Sequence, residues 1–181
     1  VIEALEQLAR QGKIRYHGWS TDDPQRARLF ARGKHCVCVQ HQMNVLDDAP
    51  QMISLCEQLG LASINRGPLA MGLLSGKYKE SSSLPDDDVR GSRSPQWMKY
   101  FRNARPNPEW LGRLEKVRSI LSSDGRTLVQ GALAWIWARS ERCIPIPGFK
   151  TPEQVEENAR AMSFGPLSKE SSRRIEDLLG R

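Results

Sequence analysis

The chain has 181 residues, 39% of them hydrophobic and 27% charged, with a formal net charge of +6. Those values exclude a disordered chain and suit one globular domain with a buried core. No apolar run reaches the about 18 to 20 residues of a membrane span, and no basic stripe is interleaved with aromatics, so the expected partner is no membrane and no nucleic acid but a phosphate-bearing small molecule.

Val1 to Gln11 sets Val1, Leu5 and Leu8 on one face with Ala4 and Ala9 between them, a helical spacing, and Gly12 follows where a C-cap glycine belongs. Val1 stands inside this helix with no initiator methionine, which gives the expectation of a chain cut from a longer one. Lys13 to Ser20 reads as a short strand ending in a polar turn. Thr21-Asp22-Asp23-Pro24 is a capped start with an early proline, and its helix runs to about Gly33. In the next strand, Cys36 to Gln40, Cys36, Cys38 and Gln40 alternate on one face and Val37 and Val39 on the other. A helix over 49–59 stops at Gly60, and Leu61 to Arg66 forms a third strand.

From Pro68 to about Pro108 the pattern dissolves, and residues 79–108 read as one long irregular loop with a short helical piece near Trp97 to Phe101. Loops of this length inside a compact domain are commonly lids or binding loops. Arg90, Arg93, Trp97, Tyr100 and Phe101 fit a lid over a ligand and fit a mobile loop equally well. Helices follow around Leu111 to Leu121 and Thr127 to Ala138. Cys143 to Ile146 is a fourth strand, Thr151 opens another helix, and Ser168 to Leu179 is the last.

Strands separated by helices imply a parallel sheet, and both a doubly wound sheet and part of a (β/α)8 barrel fit the order. No G-x-G-x-x-G follows the first strand, which counts against the doubly wound form. Four cysteines form no secreted disulfide framework and point to a reducing, cytoplasmic setting. His35, Cys36 and Cys38 match no common zinc spacing, so no metal is expected.

Three stretches carry a family resemblance. Gly12-Lys13-Ile14-Arg15-Tyr16-His17-Gly18-Trp19-Ser20 resembles the aldo-keto reductase pattern of a helix ending "GKIR" and a strand ending "G-x-S". Pro68 to Tyr78 is similar to that family's "PLA-x-GLL-x-GKY" loop. Ala132 to Trp135, Ile144 to Gly148 and Gln154-x-x-Glu157-Asn158 look like its closing signature. The resemblance spans residues 1–181 and implies a partial (β/α)8 TIM barrel: four C-terminal β/α units plus a C-terminal helix. It also implies an oxidoreductase that reduces a small aldehyde or ketone with NADPH. The family's catalytic Asp, Tyr, Lys and His belong to the first four strands, so no catalytic residue is expected here and the chain alone is expected to be inactive. His17, His35 and His41 do not match the catalytic histidine. The partner is then the missing N-terminal half, or a second copy meeting two raw sheet edges. The rival reading is a non-catalytic half-barrel that binds a dinucleotide or a protein.

The residues themselves place a phosphate site at Gly148 to Asn158. Thr151-Pro152-Glu153-Gln154 is a capping-box start, a helix N-terminus attracts phosphate, and Lys150 adds a full charge beside it. The resemblance assigns Gly148, Lys150, Gln154, Glu157 and Asn158 to the adenosine end of NADP. Gln154 stands where many relatives carry arginine, which leaves NAD possible as well. In Arg66-Gly67-Pro68-Leu69, Arg66 takes the position of an aromatic that stacks on the nicotinamide in relatives. The glycine-spaced turn from Ala70 to Gly76, with Met71 and Gly72, lets backbone amides approach the pyrophosphate, and Lys77 neutralises it. Ser20 and Gln40 end the first two strands and can reach the nicotinamide amide.

Overall fold

The computed structural model describes residues 1–181. Its centre is a four-stranded parallel sheet of β1 (His17–Ser20), β2 (Cys36–Gln42), β3 (Ala62–Arg66) and β6 (Cys143–Pro145), hydrogen-bonded in that sequential order. The order never reverses, as a doubly wound sheet requires, so the sheet is an arc of a barrel.

One face of the arc is covered by helices. From α1 (Ile2–Arg10), α2 (Pro24–Phe30) and α3 (Pro50–Leu59), the side chains of Ala27, Phe30, Met52, Leu55 and Cys56 meet Cys36 and Val39 of β2, with Ile2 and Leu5 packed at the margin. A larger core joins α4 (Pro108–Leu121), α5 (Leu128–Arg139) and α7 (Lys169–Leu179) around Leu114, Trp135, Ile136 and Ile175. α6 (Pro152–Arg160) buries no residue fully. The other face is bare: Ile144 and Ile146 remain 49% and 45% exposed.

The helix starts follow their caps. Asp23 accepts from the N–H of Gln25 and Arg26, Thr127 and Gln130 form a reciprocal capping box, and Ser168 caps α7. The first strand is shorter than the apolar pattern suggested, beginning at His17 rather than Lys13. The strict alternation expected of β2 also fails. His17 pairs with Cys36 and Gly18 with Cys38, leaving Val37 as an extra residue. The bulge turns Cys36 to the helix side with Val39, while Cys38 and Gln40 face the bare side.

The stretch 79–108 has no helix near Trp97. It holds a two-residue hairpin, β4 (Phe101–Arg102) with β5 (Arg105–Pro106), and α4 begins three residues earlier than the sequence suggested, capped by Asn107. Met98, Tyr100 and Phe101 are buried in the main core, so tertiary packing overrides local preference here. No helix is long and apolar enough to cross a membrane.

Candidate cofactor-binding site

A cleft of about 590 Å³ opens at the C-terminal ends of β3 and β6, a size typical of cofactor sites. Gly67, Pro68, Leu69, Met71, Gly72 and Lys77 form one wall, and Gly148, Lys150, Gln154, Glu157 and Asn158 the other. Segments on either side of the long loop and of α4 and α5 thus meet at the carboxyl ends of parallel strands, where open and barrel α/β folds place their ligands. Ser20, Gln40 and Arg66 do not line this cleft; they sit along the mouth of the sheet beside it.

The first wall is a strained turn. Ala70 and Met71 hold φ of 49° and 56°, left-handed values that cost about 1–3 kcal/mol each in residues other than glycine. Three things hold it. Ala70, Leu73 and Leu74 are fully buried, Ser75 Oγ donates to the Gly72 carbonyl at 2.7 Å, and Arg90 Nη1 donates to the Met71 carbonyl at 2.9 Å. The amides of Ala70, Gly72, Leu74 and Gly76 donate to carbonyls within the same turn and its approach, so in this structure these four are engaged internally. Lys77 remains exposed in the wall, over the ring of Tyr78 at 5.0 Å.

The second wall is the start of α6. Thr151 Oγ1 accepts from the Gln154 N–H at 3.4 Å, but the Gln154 side chain reaches past Thr151 and accepts from the Lys150 N–H at 2.7 Å. The expected box is therefore shifted by one residue, and it fixes the loop that carries the Lys150 ammonium. Gln130 ties α5 to the same wall by donating to the Glu157 carbonyl at 3.2 Å.

Of the cover, sequence reasoning named Arg90 but missed the rest. Asp87, Asp88, Val89 and Arg90 close the cleft from the long loop, and Phe149 enters from the other side. Arg90 grips Asp88 with Nε and Nη2 at 2.7 and 2.6 Å, donates to the Tyr78 hydroxyl at 2.7 Å, and lies over the rings of Tyr78 and Phe101. Hydrogen bonds from Arg90 hold the Asp88 carboxyl well below the usual carboxylate range. The only sequence signal was the acidic run Asp86-Asp87-Asp88 beside an arginine. Of the other proposed lid residues, Trp97 is exposed away from the cleft and Tyr100 and Phe101 are core.

None of the histidines lines the cleft. His41 is buried against Ser63 at 2.7 Å, and burial pulls its pKa down. Lys99, Tyr100 and Asp47 meet near the mouth, with Lys99 on Asp47. Tyr100 cannot serve as an exchangeable acid there: it is 3% exposed, its hydroxyl accepts from Asn44 at 2.8 Å, and burial pushes its pKa up.

The sequence model of the aldo/keto reductase family matches residues 1–179. The chain belongs to that family. It is 32% identical over 170 residues to the chloroplastic pyridoxal reductase of Arabidopsis thaliana, covering 90% of this chain and 43% of that protein. It is 29% identical to the NADP(+) aldo-keto reductase yakc of Schizosaccharomyces pombe, covering 90% of this chain and 47% of the other. A holo aldo-keto reductase of Bacillus halodurans superposes with a TM-score of 0.69 at 28% identity, covering 98% of this chain and 54% of that one. An aldo-keto reductase of Klebsiella pneumoniae in complex with NADPH has the same fold, with a TM-score of 0.65 at 24% identity over 98% of this chain and 52% of its own. The chain therefore spans about half the length of the relatives it matches, and its arc is part of the aldo-keto reductase barrel.

Proposed function

We propose that this chain is the cofactor-binding half of an NADP-dependent aldo-keto reductase, which in the intact protein transfers a hydride from NADPH to a small aldehyde or ketone. The observation that carries the reading is the cleft itself. It joins the end of β3 to the capped start of α6, with Lys77 on one wall and Lys150 on the other. A helix start and two ammonium groups suit the phosphates of a dinucleotide. Bound NADPH would supply the hydride. This chain's residues would hold and orient it, with Glu157 and Asn158 toward the adenine and Ser20 and Gln40 toward the other end. The proton donor would come from outside the chain, so the chain alone is expected to turn over no substrate.

Preference for NADPH over NADH should be modest. At the start of α6 only Lys150 offers a full positive charge to a 2′-phosphate, since the amide of Gln154 is engaged by the Lys150 N–H. The test is titration with NADPH and NADH, followed by quenching of the five tryptophans. Saturable micromolar binding is expected, weakened about tenfold for NADPH and less for NADH in Lys150→Ala. A folded chain that binds neither nucleotide would overturn the reading.

The bare face of the sheet supports a second component of the proposal. Ile144 and Ile146 lie open beside two unpaired strand edges, β1 and β6. The surface fits the missing half of a barrel or a second copy of this chain.

A further inference from the structure

The C-terminal edge of the sheet carries an ion pair, Arg66 with Asp22, to whose acidic member the cofactor-binding reading gives no task. Arg66 ends β3, and Asp22 stands two residues beyond β1. Arg66 Nη2 donates to Asp22 Oδ2, and Arg66 Nη1 donates to Gln42 Oε1 at 3.0 Å. Asp22 Oδ1 accepts from the Gln42 N–H at 2.6 Å, and Gln42 Nε2 donates to the Tyr100 hydroxyl at 3.1 Å. Groups from the ends of β1 and β2 thus fix one guanidinium at the end of β3. Asp22 has no part in capping α2, which Asp23 does alone. The pair is contiguous with the cleft: Gly67 follows Arg66 and lines it, and a side chain on Gly67 would meet the Gln42 amide at 2.7 Å.

We propose that Asp22 is a positioning residue for the redox end of the bound dinucleotide, holding the Arg66 guanidinium in place and cancelling its charge so that the oxidised ring is accepted. The inference rests on the cofactor-binding reading above. An oxidised nicotinamide ring is a cation and a reduced one is neutral. A lone guanidinium beside the ring repels only the oxidised form, whereas a guanidinium paired with a carboxylate presents little net charge to either. Asp22 therefore tunes the ratio of the two affinities, and that ratio fixes how far binding shifts the redox potential of the couple from its free value.

The experiment titrates the full chain with NADPH and with NADP+ in wild type, Asp22→Asn, Asp22→Glu and the double variant Asp22→Asn/Arg66→Gln. Asparagine keeps an oxygen for the Gln42 N–H and removes the charge. Asp22→Asn is expected to weaken NADP+ relative to NADPH by about fivefold, an effect that shrinks as salt is raised. Asp22→Glu and the double variant are expected to return the ratio to within about twofold of wild type. Binding of both forms with an unchanged ratio in Asp22→Asn would overturn the inference and leave the cofactor reading standing. Equal loss of both forms would mark a purely structural role and overturn it too. Failure of wild type to bind either form would remove the cofactor reading and the inference together.

Discussion

Glu6 accepts three hydrogen bonds: from His17 Nε2 and His35 Nδ1, both at 2.8 Å, and from the His35 N–H at 3.0 Å. They bind α1 to the starts of β1 and β2, although α1 buries no residue of its own. The bond from His17, then that from His35, holds the Glu6 carboxyl down to about 2, against an ordinary value of 4.5. Because the folded value lies below the unfolded one, the stabilisation is complete above about pH 4.5 and is lost as pH falls toward 2. Urea midpoints should therefore drop across that window in wild type and drop less steeply in Glu6→Gln. A second residue-scale test is Arg90. Arg90→Ala removes the grip on the Met71 carbonyl and frees Asp88, so nucleotide affinity should fall about tenfold, and Arg90→Lys should recover little because lysine lacks the planar fork. Neither network was legible in the sequence. Its partners lie 11 to 29 residues apart around Glu6 and 12 to 19 apart between Arg90 and the turn, and local pattern carries no information over such spans.

Helices and their starts were legible, because a cap is a local event. Pro24, Pro152 and Thr127 mark their own elements. Strand edges and the hairpin of the long loop were not, since the bulge at Val37 depends on how β1 pairs and Tyr100 and Phe101 are drawn inward by a distant core. The contact of α4 with α5 gives the clearest element-scale prediction. Gly131 lies inside α5, where alanine would ordinarily gain about 1 kcal/mol of helix propensity. A Cβ there would overlap the carbonyl group of Leu121 at the end of α4, backbone that cannot step aside cheaply. The overlap should win. Gly131→Ala is expected to lower unfolding free energy by about 2 kcal/mol or more, measured by urea denaturation, whereas Gly112→Ala on the open side of α4 should be neutral or stabilising.

Taken as a whole, the molecule is one side of a curved wall. Periodicity found its strands but left two architectures open; the sequential strand order decides between them, and the motif at Pro68 to Tyr78 had already pointed the same way. The bare face mixes Ile144 and Ile146 with polar Ser20 and Gln40, so it should associate weakly. Sedimentation velocity is expected to show concentration-dependent self-association at tens of micromolar (about 6–7 kcal/mol), and Ile144→Lys is expected to suppress it without moving the melting temperature.

The bulge in β2 has one more outcome. It separates Cys36 from Cys38, sending the first into the helix layer with Cys56 and leaving Cys38, half-buried, on the uncovered side. Cys143 is likewise buried. Of the four thiols, then, Cys38 alone looks out from the bare surface, and desolvation keeps it protonated and slow to react. Its alkylation by a small maleimide becomes a built-in gauge of coverage: labelling proceeds while that surface is open and stops when another polypeptide lies across it.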